Sequence, residues 1–123
     1  MPKIKVVFFK EEDEVVPIID WLEELPEKAQ DKCLAKLKRL EDLGHALRRP
    51  EADFLRDGIY ELRIGLQGLN YRILYFFHGR EAVVISHGLL KERVVPPREI
   101  DEAVERKKRF ETSPKRHTFS PET

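Results

Sequence analysis

A chain of 123 residues is long enough for one compact domain and short for two. Its 41% hydrophobic and 37% charged residues describe a small core under a heavily charged surface, not a low-complexity or membrane-embedded chain. The formal charge is zero but unevenly placed: residues 1–27 hold three lysines against eight acidic groups, residues 28–87 eleven basic against eight, and residues 88–117 nine against six. A basic remainder behind an acidic N-terminal segment suits attraction of a polyanion, and equally suits a solvated surface of mixed sign.

Cys33 is the only cysteine, which excludes a disulfide framework and a thiolate metal cluster. Its neighbours Leu34 and Leu37 place it as a buried helical thiol. The apolar run near the N-terminus covers four residues, too few for a signal peptide or a membrane span. A cytoplasmic protein without membrane contact is expected.

Lys3 to Phe9 reads as a strand rich in β-branched and aromatic residues, closed by the acidic cluster Glu11–Glu14. Pro17 suits the first turn of a helix, and Ile18, Trp21, Leu22 and Leu25 follow at helical spacing. Pro26 interrupts the chain. From Glu27 to Leu43 a second helix is predicted, with Ala29, Cys33, Leu37 and Leu40 on one face and Gly44 ending it in a left-handed conformation. A loop through Pro50 to Gly58 leads to three strands, Ile59–Leu66, Leu69–Phe77 and Ala82–Leu90, with hairpin breaks at Gln67-Gly68 and His78-Gly79-Arg80-Glu81. After Pro96-Pro97, Arg98 to Phe110 reads as a last helix with Ile100, Ala103, Val104 and Phe110 inward. Residues 112–123 read as a mobile tail beyond a domain of residues 1–111. The fold class is α+β: an N-terminal strand and helix hairpin packed on a mostly antiparallel four-stranded sheet, with a C-terminal helix.

Strand parity gives this outline a functional side. A turn at Gln67-Gly68 sets Leu66 opposite Leu69, Ile64 opposite Tyr71 and Arg63 opposite Arg72. Tyr60, Leu62, Ile64, Tyr71, Ile73, Tyr75 and Phe77 then form an apolar face for the helix hairpin. The other face, expected to be open and concave, holds Glu61, Arg63 and Arg72 with Ile59, Leu74 and Phe76. A symmetric turn at Gly79-Arg80 would add His87 opposite Arg72. Like charges directly opposite are destabilising, so the arginine pair needs either neutralisation by Glu61 or a bound anion. Lys91 and Arg93 lie just beyond the third strand. A basic patch of this kind suits RNA cleavage, in which a base takes the 2′-hydroxyl proton, cations stabilise the phosphorane and an acid protonates the departing oxygen. His87 has the ordinary pKa for proton transfer, and Arg63 and Arg72 have guanidinium forks that match a phosphate.

Tyr60-Glu61-Leu62-Arg63 followed by Asn70-Tyr71-Arg72-Ile73-Leu74-Tyr75-Phe76-Phe77 resembles the E-L-R … Y-R-x-x-Y pattern of RelE/HigB-like toxins. His87-Gly88-Leu89-Leu90-Lys91, then Pro96-Pro97, Glu99-Ile100 and Ala103, is similar to the H-G-F-x-K-K-T … P … E-I … A signature of the phage-derived Gp49-like branch. Trp21-Leu22-Glu23-Glu24-Leu25-Pro26 and Leu40-Glu41-Asp42-Leu43-Gly44 fit the same pattern. The resemblance spans about residues 4–110. It implies a microbial-RNase-like fold and a type II toxin that acts as a ribosome-dependent mRNA endoribonuclease, inhibits translation, and is neutralised by a helix-turn-helix antitoxin. It further implies that Arg63 and Arg72 take the phosphate-binding positions and Lys91 the first of two paired lysines. Arg63, Arg72, His87 and Lys91 are the candidate catalytic residues, and Arg93 joins Arg63, Arg72 and Lys91 in binding RNA. The chain departs from the pattern at Leu89, at Glu92 (usually a second lysine) and at Arg93, after which no tyrosine follows. A catalytically inactive module of the same fold, binding an antitoxin or nucleic acid, is the alternative.

His45, His78 and His117 show no metal-ligand spacing, so neither a metal nor a cofactor is expected. The run Arg106-Lys107-Lys108-Arg109 reads either as a solvated helix face or as a contact to ribosomal RNA.

Overall fold

The computed structural model describes residues 4–121. Strand β1 (Lys5–Phe9) leads into α1 (Pro17–Glu23) and α2 (Glu27–Leu43). Strands β2 (Ala52–Arg56), β3 (Ile59–Leu66), β4 (Leu69–His78) and β5 (Ala82–Lys91) follow, then α3 (Pro97–Thr112) and β6 (Thr118–Phe119). All six strands form one sheet in the order β2-β3-β4-β5-β1-β6, antiparallel except where β1 runs parallel to β5. The expected four strands are therefore six. The stretch predicted as a loop from Pro50 to Gly58 contains β2, because Ala52, Asp53 and Phe54 pair with Leu62, Glu61 and Tyr60. A five-residue edge strand with one apolar side chain turned outward carries too little alternation to read as a strand in sequence.

The segment expected to be a tail carries β6 and a buried histidine. His117 Nδ1 lies 2.7 Å from the Lys10 carbonyl, and its ring stacks on Phe9 with centroids 4.8 Å apart. Phe119 pairs with Phe8 across the β1 edge.

The helix hairpin covers one face of the sheet. Ala29, Cys33, Leu37 and Leu40 of α2 are buried with Ile18 and Leu22 of α1, against Leu62, Ile64, Tyr71, Ile73 and Tyr75. Cys33 lies in this core, and burial pushes its thiol up to about 11, far from a reactive thiolate. Gly44 ends α2 at φ +52° as expected, but its ψ of −124° lies outside the left-handed helical well, and a short 3-10 turn follows.

The opposite face is not left open along its length. Helix α3 lays Ile100, Ala103 and Phe110 over Val7, Phe9, Ile59, Leu74, Phe76 and Val84. The end of that face nearest the Gln67-Gly68 turn carries Arg63 and Arg72, and Leu89 of the same apolar cluster stands opposite Arg72.

Register was expected correctly on one hairpin and not on the next. Gln67 and Gly68 both have positive φ, 52° and 81°, as a two-residue type I′ turn requires, and Arg63 stands opposite Arg72. Between β4 and β5 the turn is one residue longer than symmetric, so His78 pairs with Ala82. A bulge then inserts Ser86 between Ile85, opposite Tyr75, and His87, opposite Leu74. Each step moves the register by one residue. The first flips the faces of Val83 and Ile85, and the second restores the expected face to His87. Arg72 consequently stands opposite Leu89, with His87 two residues along the strand.

Gly88 shows how closely α1 approaches β5, since an added Cβ would fall inside the Trp21 ring. Gly88→Ala is expected to lower stability by about 2–3 kcal/mol through overpacking. In a Trp21→Ala background the same change should cost much less, which a urea-unfolding double-mutant cycle measures. Additive costs would place the strain elsewhere.

Candidate functional site

Two clusters form on the face that carries α3. The first is built by β2, β3 and β4. Glu61 Oε2 accepts from Arg63 Nε at 2.9 Å, and Glu61 Oε1 lies 3.3 Å from Arg72 Nε. Arg63 also reaches Asp53 on β2 at 3.2 Å, and Arg49 binds the same Asp53 oxygen at 3.0 Å. Alternation places Asp53, Glu61, Arg63 and Arg72 on one face, and the β2–β3 pairing brings Asp53 beside Glu61. Asp53 lies in the stretch predicted as a loop, and its pairing in β2 is what adds this second carboxylate to the cluster.

Arg72 is buried, contrary to the solvated position parity suggested, because Glu61 and the flanking strands close over it. Its Nη1 donates to the Tyr71 carbonyl at 2.9 Å. Its Nε is in ion-pair range of Glu61 but misaligned for a hydrogen bond, and among the described residues it is the one buried side-chain nitrogen or oxygen with no hydrogen-bond partner. Burial pushes the Arg72 pKa down, Glu61 pulls it back up, and Arg63 adds to the lowering. The group stays cationic at any physiological pH. Lys91 extends this face, paired in register with Asn70 on the residue parity of Arg72. It makes no ion pair with any described residue. Arg93 falls elsewhere, in a recess of about 570 Å³ with Leu90, Val94 and Pro97.

The second cluster surrounds His87. The bulge turns both Ser86 and His87 toward α3, where Arg106 Nη1 lies 3.3 Å from Ser86 Oγ and 3.0 Å from His87 Nδ1. Ser86 Oγ is 2.8 Å from Nδ1, and His87 Nε2 is 2.9 Å from Glu99 Oε1. Since an arginine only donates, Nδ1 accepts and the ring proton sits on Nε2, facing Glu99. Arg106 is buried and also binds Glu11 at 3.0 Å and Glu102 at 3.3 Å, while Arg109 binds Glu11 at 2.8 Å. Burial acts to raise the Glu11 pKa, but hydrogen bonds from Arg109 and Arg106 outweigh it and hold the carboxyl below its ordinary value. Two members of the basic run in α3 are thus structural ion-pair partners and not a solvated face.

The structure therefore gathers Arg63, Arg72 and Lys91 on one end of the sheet, with Arg63 and Lys91 partly exposed and Arg72 buried, and sets His87 apart under α3 with both ring nitrogens engaged. His87, Glu99 and Glu102 bring one ligand-type atom each within 4.8 Å of one another, a grouping the expectation of no metal did not foresee. Arg106 supplies the positive charge at that point, bound to both His87 and Glu102, which fits an ion-pair network better than a cation site.

A family model described as Phage derived protein Gp49-like (DUF891) matches residues 20–108. The chain belongs to this family. Gp49-like proteins are phage-derived and associated with toxin–antitoxin pairs. No curated protein matches the chain. The matched span of this Gp49-like chain includes the first cluster and all of the second but Glu11 and Arg109, and excludes β1 and β6. No helix among its described residues is long and apolar enough to cross a membrane.

Burial first, and the Arg106 charge second, pull the His87 pKa below 6.5, against Glu99 and Glu102. The unfolded chain therefore takes up a proton near pH 6.5 that the folded chain refuses until lower pH. Stability should be full above pH 6.5 and fall as pH drops through that value toward the lowered folded pKa. Comparing urea midpoints at pH 7.5 and 5.5, the parent should lose more stability than His87→Gln. Equal losses would show that His87 is not held neutral.

Proposed function

We propose that this Gp49-like chain is the toxin of a type II toxin–antitoxin pair, and that it cleaves ribosome-bound mRNA with the Arg63–Arg72 end of its sheet. The observation that carries this reading is the pair of guanidiniums, Arg63 and Arg72, directly opposite each other on neighbouring strands with the one Glu61 carboxylate between them. Like charges opposed across two strands call for an anion, and a phosphate matches their forks. Arg63 is partly exposed, and Lys91 adds a third cation on the same face.

In this reading the 2′-oxygen attacks the neighbouring phosphorus, the bond to the 5′-oxygen breaks, and the proton lost by the 2′-hydroxyl is balanced by one gained on the leaving oxygen. Arg72 and Arg63 hold the phosphate by their forks, and with Lys91 they stabilise charge that grows on it. The ribosome and mRNA are the partners of catalysis. A helix-turn-helix antitoxin would neutralise the chain by covering the same end of the sheet. A microbial-RNase-type fold is consistent with this proposal.

A second reading is favoured by Glu61, which already occupies the arginines, and by the sequestered His87. There the same surface binds an antitoxin or nucleic acid and cleaves nothing.

Programmed ribosomes with mRNA of varied codons separate the two. Arg72→Lys keeps the charge and removes the fork. It should slow cleavage roughly a hundredfold to a thousandfold, the cost of losing one transition-state contact. Lys28→Ala, an exposed change on α2, should match the parent. Equal cleavage by all three would remove Arg72 from the mechanism. A parent that binds RNA without cutting it would establish the second reading.

A further inference from the structure

The edge strand β2 joins the Arg63 cluster to a recess at the edge of the sheet. Asp53 and Phe54 are consecutive in β2, so their side chains take opposite faces. Asp53 binds Arg63 and also borders a recess of about 500 Å³, which it shares with His45, Arg48, Arg49 and Tyr60, and Phe54 is 52% exposed at its mouth. Phe54 meets Tyr60 edge-on with centroids 5.2 Å apart, and Tyr60 lies stacked on Tyr75 at 5.4 Å. His45 is stacked on Phe77 at 3.8 Å. The aromatic wall is therefore rigid behind Phe54 and open in front of it.

The charges at the mouth are unbalanced. Arg49 shares Asp53 with Arg63, and Arg48 is exposed and makes no side-chain bond with any described residue. Two guanidiniums and one shared carboxylate beside an exposed ring form the combination that holds a base by stacking and its phosphate by charge.

We propose that this recess takes one base and phosphate of a single-stranded RNA whose backbone continues over the β2 edge, past Asp53 and Phe54, toward Arg63. This rests on the RNA-binding reading above.

The probe is a labelled single-stranded RNA of roughly 12 nucleotides, with an abasic oligomer of equal length for comparison. Anisotropy titrations compare the parent with Phe54→Ala, Arg48→Ala, Arg72→Lys and Lys28→Ala. Phe54 is half-exposed and Arg48 exposed, so both variants should melt with the parent. Phe54→Ala should weaken RNA binding about tenfold and leave abasic binding unchanged. Arg48→Ala should weaken both oligomers and reduce the salt slope by about one. RNA binding unchanged in Phe54→Ala but weakened in Arg72→Lys would overturn the recess and leave the RNA reading standing. No RNA binding by the parent would overturn both. Unchanged RNA binding together with loss of a coexpressed partner protein in Phe54→Ala would make the occupant a polypeptide strand, and would overturn the proposal.

Discussion

Two guanidinium groups stand directly across from each other on neighbouring strands, and the buried Glu61 carboxylate holds them together. Without it, Arg63 opposite Arg72 would be a repulsive cross-strand pair at a site where burial already disfavours charge. Glu61 reaches both because it lies two residues before Arg63 on the same face of β3. The arrangement hangs on the two-residue turn at Gln67-Gly68. A turn longer by one residue would send Arg72 to the helix-hairpin face, bury a cation beside Leu62 and Ile64, and turn Tyr71 and Ile73 away from that face.

The rest of that face is covered by helix. Helix α3 seals the other end with Ile100, Ala103 and Phe110, and Arg106 fastens it to Ser86 and His87 in the bulge of β5. Arg106 and Arg109 also reach Glu11, just after β1, and their guanidinium carbons lie 5.7 Å and 5.3 Å from the centre of the Phe9 ring. The acidic N-terminal segment is therefore partly spent in internal ion pairs. Net charge by region overstates how much of it faces solvent.

The helix hairpin, the first β-hairpin and the arginine pair were legible in sequence because strong periodicity and a tight turn fix them locally. Ala29, Cys33, Leu37 and Leu40 fall at helical spacing, and the turn at Gln67-Gly68 fixes Tyr60, Leu62, Ile64, Tyr71, Ile73 and Tyr75 on one face. The position of His87 relative to Arg72 was not legible. It depends on a three-residue turn and a bulge at Ser86, and neither has a distinctive residue to mark it. The short strands β2 and β6 were missed because pairing with β3 and β1, not their own composition, makes them strands. Asp53 and Phe54 were overlooked for the same reason, although an arginine-flanked Asp-Phe pair was visible as residues without a role.

If Glu61 stands in for an anion, its removal should expose a need for one. Thermal unfolding of Glu61→Gln, with and without a single-stranded RNA oligonucleotide, tests this most directly. The account predicts a variant less stable than the parent in the absence of RNA, because the opposed arginines lose their shared countercharge. It predicts that RNA then raises the melting temperature of Glu61→Gln by more than that of the parent. A Glu61→Gln protein as stable as the parent and no more responsive to RNA would contradict the account at its centre.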